Sequence, residues 1–386
     1  MPDLEILSPQ PFQVVQRRGA LPLRHPRERA DMSNGWAPVD IRARTSLAGE
    51  LTVRLTVTPI GADPTGFPLT PVRSGGAGDF RTTAADGFIR HTVTMPAGGW
   101  YALALTATAA DGAFATAHAG PFGIGEVYLI GGQSHSNNWN DVLKTIADPA
   151  GRVTTLDLQS GDWRIAHDPQ PFNESPTPMD AATYWRKLAL YMVLSQTSYS
   201  GGSIWPPAMN LLQPAIGVPI GMINVGMGGA PIQAWLPGNH AFERLRQAAV
   251  AAGHFRAVLW QQGEANVTLQ TGTDGYLAIF RAVRWHLAAA LGGRRYDWIL
   301  AKSTHFPSTY DDPAAEAAIR EAVDIMARED ADVVAGPDTD LLRGPHRAGS
   351  GTSGHLSGHG QEAAGALWFA TLLTHLNSSR VNDSFP

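Results

Sequence analysis

The chain contains no cysteine in its 386 residues. Disulfide bonds, thiolate nucleophiles and cysteine-built zinc sites are therefore excluded. It also lacks any run of about 18 apolar residues, the length a membrane-spanning helix needs. Its first stretch, MPDLEILSPQPFQVVQRRG, has no apolar core of the kind a secretory leader carries. Charged residues are sparse, at 16%, the net charge is −5, and no long basic tract occurs. Neither a nucleic acid nor a membrane is thus expected as a partner. Compartment stays open (cytoplasm, or export without a visible leader), as does oligomeric state. Hydrophobic residues make up 44% of the chain, as in ordinary soluble globular proteins, and 41 glycines with 28 prolines promise many ordered turns. The length suits one large domain plus a smaller one.

The two parts differ in hydrophobic period. LTVRLTVTP (51–59), FIRHTVTMP (88–96) and WYALALTATAA (100–110) alternate apolar and polar residues with period two. Turn-forming GADPTG, RSGGAGD and PAGG separate them or flank them. Residues 1–120 are therefore predicted to form a small β-sandwich accessory domain; the less regular stretch 1–41 is assigned to it. From about Gly123 the pattern changes to short, wholly apolar runs: EVYLI (126–130), PIGMIN (219–224), RAVLW (256–260), DWILA (297–301) and DVVA (332–335). Such runs fit strands buried on both faces of a parallel sheet. Helical stripes follow: Tyr276, Ile279, Phe280, Val283 and Leu287; Ile319, Val323 and Met326; Ala364, Leu367, Trp368, Leu372 and Leu376. Residues 121–386 are predicted to be a doubly wound α/β domain on a five-stranded parallel sheet, with its site beyond the C-terminal strand ends. An insertion at about 140–205 breaks the alternation and has the composition of a lid or specificity loop.

Four segments sit where such a fold would put chemistry. In GEVYLIGGQSHSNN (125–138) a buried strand runs into Gly-Gly-Gln-Ser. A serine on a sharp turn can expose its hydroxyl beside free backbone N–H groups, although most serines after glycine are only turn residues. In GVPIGMINVGMGGAPIQAW (217–235) a strand opens into a glycine-rich turn, which either permits a tight loop or lends an N–H to an oxyanion. In RAVLWQQGEANV (256–267) polar Gln261, Gln262, Glu264 and Asn266 crowd a strand end and need partners. In SGHLSGHGQEAAGALW (353–368) a Gly/Ser/His loop leads into a helix; a lone His is more often structural, yet His is the side chain best matched to general-base work near neutrality.

The order of these segments resembles that of SGNH hydrolases, in the subgroup of sialate O-acetylesterases and acetyl xylan esterases. GEVYLIGGQSHS resembles that family's GEVW…GQSN, INVGMGGAPIQAW its Gly-Gly…Trp segment, LWQQGEAN its IWYQGESN, and HLSGHG its H-[FL]-[ST]-x-x-G. The resemblance spans about residues 121–375. It implies Ser134 as nucleophile and His355, rather than His359, as base. It implies an oxyanion hole of Ser134 N–H, Gly228 N–H (with Gly229 as alternative) and a side chain from the third segment, Gln262 or, behind it, Asn266. The implied reaction is removal of an O-acetyl group from a small or polymeric carbohydrate through an acetyl-enzyme, without cofactor or metal.

Two departures stand out. The family acid lies three residues before the histidine, where this chain has Thr352. Glu264 is the expected substitute; Asp338, Asp340 or a dyad supported by a main-chain carbonyl are the alternatives. His135 stands where the family has Asn, as a substrate contact or as filler of the turn. His355 and His359 are four apart, but Gly354, Gly358 and Gly360 argue against a helical metal site. Trp139, Trp163, Phe172, Trp185 and Trp205 are candidates for stacking on sugar rings or for the core. The missing Asp also raises a rival, a non-catalytic carbohydrate-binding protein on a degenerate scaffold; a further one is a short-chain esterase for non-sugar esters.

Overall fold

The structure is a computed structural model that describes residues 2–19, 34–60, 78–84, 86–171 and 201–378. The first part of the chain supplies β1 (Leu4–Ser8), β2 (Val14–Gln16), β3 (Trp36–Thr45), β4 (Glu50–Ile60), β5 (Gly78–Thr83), β6 (Phe88–Pro96) and β7 (Trp100–Ala109). The three period-two runs correspond to β4, β6 and β7. β3 was not anticipated, although Val39, Ile41 and Ala43 are buried while Asp40, Arg42 and Arg44 are exposed. β1, β3 and β6 form a three-stranded antiparallel sheet. β5, β4 and β7 pair antiparallel in that order, and β7 pairs with the next strand, β8 (Phe114–Gly132). The alternating residues of these sheets share one apolar core, which includes Ile41, Leu51, Val53, Val93 and Leu105.

β8 is 19 residues long, and the expected boundary between residues 120 and 121 falls inside it. Leu103 faces Ala119 and Tyr101 faces Phe122, so β8 carries one extra residue there, a β-bulge. Gly120 sits at the bulge with φ of +127°, and a Cβ on it would lie 2.7 Å from the Tyr101 carbonyl oxygen. Only glycine fits both demands.

Beyond the bulge β8 is the central strand of the α/β part. β9 (Val153–Leu156), β10 (Trp163–Ile165), β11 (Ile220–Asn224), β12 (Ala257–Gln261), β13 (Asp297–Lys302) and β14 (Val333–Asp338) complete an 11-stranded sheet, with the order β10-β9-β11-β8-β12-β13-β14 along its main path. The five predicted strands are β8, β11, β12, β13 and β14, adjacent and mutually parallel. The expectation of a five-stranded sheet is corrected: the structure has a larger mixed sheet. The insertion adds β9, parallel to β11, and β10, antiparallel to β9. The β-rich part adds its strands through the N-terminal half of β8.

Six helices complete the described elements used below: α1 (Trp205–Ile216), α2 (His240–Ala252), α3 (Glu264–Thr268), α4 (Thr273–Ala290), α5 (Pro313–Glu329) and α6 (Gly358–Leu376). Strand side chains divide cleanly between two cores. Tyr128, Ile130, Met222, Leu259 and Ile299 join the core with α1 and α6. Val127, Leu129, Ile223, Trp260 and Leu300 join the core with α2, α4 and α5. Burial on both faces explains why these strands read as unbroken apolar runs. α1 starts with Pro206 and Pro207, whose missing N–H groups cost nothing in a first turn, and ends at Gly217 with φ of +67°.

At the N-terminal edge of the parallel strands lies a buried ionic cluster. Glu126 is fully buried and takes Arg17 Nε at 2.6 Å, Arg256 Nε at 2.7 Å and Gln16 Nε2 at 3.0 Å. Burial alone would raise its pKa, but the two guanidinium groups hold it down at about 2. Glu126 is thus an ionised structural anchor between β2, β8 and the approach to β12. No described helix is long and apolar enough to cross a membrane.

Candidate active site

The four segments converge at the C-terminal edge of the parallel strands. β8 ends at Gly132, and Ser134–Ser136 form a single 3₁₀ turn. Gly226 to Gly229 leave β11, the Gln262–Glu264 segment leaves β12, and the His355 loop precedes α6, which Ser357 caps by accepting from Gly360 N. Side-chain amides stitch these turns together. Asn224 Nδ2 donates to Ser136 O at 2.7 Å and Asn137 Nδ2 to Gly226 O at 2.9 Å. Asn140 donates to His135 O at 3.3 Å and accepts from Leu356 N at 3.1 Å, tying the segment after Ser134 to the His355 loop.

Ser134 is 5% exposed. The His355 ring lies among three aromatic rings: Trp139 stacks on it at 5.9 Å, and Phe306 and His135 approach edge-on at 5.2 and 5.6 Å. Its Nε2 is buried and has no hydrogen-bond partner among the described residues, so Ser134 and His355 are brought to one edge without being bonded to each other. Burial, and then the charge of Arg347, hold the His355 pKa at about 4. The imidazole is therefore neutral at pH 7, the form a general base requires. Gly228 and Gly229 are half-buried in a turn, and no backbone hydrogen bond engages either N–H among the described residues. A Cβ on Gly228 would lie 2.9 Å from Trp139 Nε1, so the indole closes in on Gly228 as well as on His355.

The third segment behaves differently from expectation. Gln262 Nε2 donates to Asn266 Oδ1 at 2.6 Å, with the Gln133 and Ala230 oxygens at 3.3 and 3.4 Å, and Gln262 Oε1 accepts from Tyr276 at 2.7 Å. Asn266 accepts from Ile232 N at 2.8 Å and donates to Gln233 and Thr271, each at 3.0 Å. Both amides are engaged in a buried brace between the β11 and β12 turns, which leaves them no proton for an oxyanion.

Glu264 also departs from expectation. Its Oε1 lies 3.1 Å from His135 Nδ1 and accepts from Ser303 Oγ at 2.5 Å. It makes no hydrogen bond to His355, and its Oε2 has no partner among the described residues. The physical reason is proximity: Ser303, at the end of β13, and His135, next to Ser134, bracket the carboxyl first. The alternatives are engaged elsewhere. Asp338 takes Arg320 through both oxygens, at 2.8 and 2.6 Å. Asp340 accepts from Thr304 N, Thr304 Oγ1, His305 N and Arg320. Thr352 is exposed and donates to Gly349 O at 2.7 Å. Among the described residues His355 has no acidic partner. Arg347, Ser303 and Phe306 shape this site and were not anticipated; they lie in stretches without a recognisable pattern. Of the aromatic candidates, Trp205 is fully buried and donates to Ser136 O at 2.8 Å, and Trp163 is packed in the core, so neither offers a sugar platform. Phe172 and Trp185 lie outside the described residues.

A family model described as carbohydrate esterase, sialic acid-specific acetylesterase, matches residues 125–365. The chain belongs to this family. That makes it an esterase of the carbohydrate-esterase class with an acetylesterase role. Among solved structures, a carbohydrate acetylesterase from Xanthomonas citri is similar in fold, with a TM-score of 0.56, 16% identity, and coverage of 96% of this chain and 74% of that one. A protein from Arabidopsis thaliana matches with a TM-score of 0.47 and 18% identity, over 66% of this chain and 98% of the other. No curated protein sequence matches this chain. All four segments that carried the resemblance in sequence lie within the matched region of the esterase.

Proposed function

We propose that the esterase removes O-acetyl groups from a carbohydrate by serine catalysis, with Ser134 as nucleophile and His355 as base. The observation that carries this reading is the unpartnered, buried Nε2 of His355 at the same strand edge as Ser134. A buried polar atom without a partner is costly and calls for a role.

In this mechanism Ser134 Oγ attacks the acetyl carbonyl carbon while its proton passes to His355 Nε2. The carbonyl oxygen becomes an oxyanion facing the N–H groups of Ser134 and Gly228, with Gly229 next to them. The bond to the sugar oxygen then breaks, and His355 returns the proton to that oxygen. Water, giving a proton to His355, then attacks the acetyl-serine; the bond to Ser134 Oγ breaks, acetate leaves, and His355 returns the proton to Ser134 Oγ. The neutrality of His355 above about pH 4 supports its part.

The test is a serine-directed organophosphonate, followed by mass spectrometry, with 4-nitrophenyl acetate and an acetylated sugar as substrates. Label on Ser134 and loss of turnover in Ser134→Ala, by about 10³-fold or more, are expected. Label on another serine together with an active Ser134→Ala would overturn the assignment.

A further inference from the structure

The site has a second buried histidine that this mechanism leaves without a task. His135 is 1% exposed, and both ring nitrogens are engaged. Nε2 lies 2.8 Å from the carbonyl oxygen of Gly354, the residue immediately before His355. A carbonyl oxygen only accepts, so Nε2 carries the proton. Nδ1 then faces Glu264 Oε1 at 3.1 Å and Ser303 Oγ at 3.4 Å as an acceptor. Arg347 Nη1 donates to the same Gly354 carbonyl at 2.6 Å.

We propose that His135, oriented by Glu264, is the positioning residue that replaces the missing acid: it grips the Gly354 carbonyl and so fixes the His355 ring against the Ser134 turn. The proposal rests on Ser134 and His355 being the reacting pair. In an Asp-x-x-His loop the carboxylate would hold the imidazole directly. Here the hold passes through the backbone, from Glu264 to His135 to the peptide of residue 354. A neutral pair fits these contacts. Ser303 O–H donates to Glu264 Oε1, which stands 3.1 Å from His135 Nδ1, and His135 Nε2–H donates to Gly354 O. Burial pushes Glu264 up to about 8 and His135 well below 6.5, in keeping with that arrangement. The unused Glu264 Oε2 shows that the carboxyl acts here through one oxygen. Displacing a catalytic group by about 1 Å costs on the order of a hundredfold in rate, so a grip on the neighbouring peptide is a sufficient device.

Steady-state kinetics on 4-nitrophenyl acetate test this in the full chain, with circular dichroism to verify folding. His135→Leu removes the donor and should lower kcat by about ten- to a hundredfold with little change in KM. His135→Gln keeps an N–H that reaches the carbonyl and should restore most of that loss. Glu264→Gln, which keeps a polar group of the same shape beside Nδ1, should retain far more kcat than Glu264→Leu. A purely structural role would not produce this kcat-selective loss with rescue by the amide variants. A folded His135→Leu with wild-type kcat, or amide variants as slow as the leucine ones, would overturn the proposal. Should the leucine variants not fold, a Glu264→Gln without activity overturns it alone. An active Ser134→Ala would instead reject the serine mechanism, whatever His135 does.

Discussion

Glu126 and Glu264 are both buried, and they stand at opposite ends of adjacent parallel strands. Glu126 opens the second half of β8 between two guanidinium groups, and its pKa falls to about 2. Glu264 follows β12 beside a histidine and a serine, and its pKa rises to about 8. One residue type therefore carries a full charge at one end of the sheet and a proton at the other. Both carboxyls are desolvated; the two guanidinium groups paired with Glu126 outweigh that cost, whereas Arg347 lies near Glu264 without forming an ion pair with it among the described residues and does not outweigh it. The base of the sheet uses its glutamate to hold the chain together, and the top uses its glutamate as a neutral hydrogen-bonding group.

Substitution should separate the two. Glu126→Ala would leave Arg17 and Arg256 buried without their anion and should cost about 3–5 kcal/mol of stability in urea unfolding. A loss under about 1 kcal/mol would show that the cluster is no anchor.

The pH dependence of stability should next show opposite signs. For Glu126 the folded pKa lies below the unfolded value of about 4.3, so the unfolded chain binds the extra proton between about pH 2 and 4.3 and stability is lost as pH falls through that window. For Glu264 the folded pKa is raised, so the folded chain holds the extra proton and stability declines as pH rises from about 4.3 to about 8. Urea midpoints measured from pH 3 to 9 in Glu264→Gln should lack the second decline. An unchanged slope would mean that Glu264 is ionised in the folded protein and would remove the contrast.

At pH 3, where the carboxyl is protonated in the folded and the unfolded chain alike, Glu264→Gln should change stability by only about 1 kcal/mol, because an amide replaces a protonated carboxyl of the same shape. The smallest effect is expected at Thr352. It is exposed and bonds only to Gly349 O, so Thr352→Ala should shift stability by less than about 0.5 kcal/mol and leave kcat as it is. A large loss of kcat would place Thr352 in the histidine's support after all.

The same contrast marks what the sequence made legible. EVYLI, PIGMIN, RAVLW and DWILA were readable because strands buried on both faces must be apolar nearly throughout; DVVA, at the end of the strand order, was readable from its valines although Ala335 is exposed. VTTL and WRI of β9 and β10 were not: they are short, partly polar, and sit in a stretch with loop composition. In β3 the alternation was present, but Pro38 and a poorly patterned flank concealed it. At the site, the motifs placed Ser134, Glu264 and His355 on one edge. They did not tell which of two histidines the glutamate would meet, because that depends on Ser303 and on the course of β13, where no motif points. Likewise, Gln262 and Asn266 were rightly placed at a strand end, but their bonding to each other and to Tyr276 is a property of packing, invisible in one dimension.

The bulge at Gly120 has one more consequence. Because β8 passes through it without leaving the sheet, the β-rich part and the esterase part are joined, among the described residues, by one continuous strand. A one-residue insertion on either side would turn every following side chain of that half to the opposite face of the sheet. Past the bulge, β8 still pairs with Trp100 and Tyr101 of β7 and with β2, so turning the β-rich part against the strand edge that holds Ser134 would mean breaking those ladder hydrogen bonds. Whatever the β-rich part touches is thus presented at a set distance and angle from that edge, like a jig clamped to a bench rather than an arm on a joint.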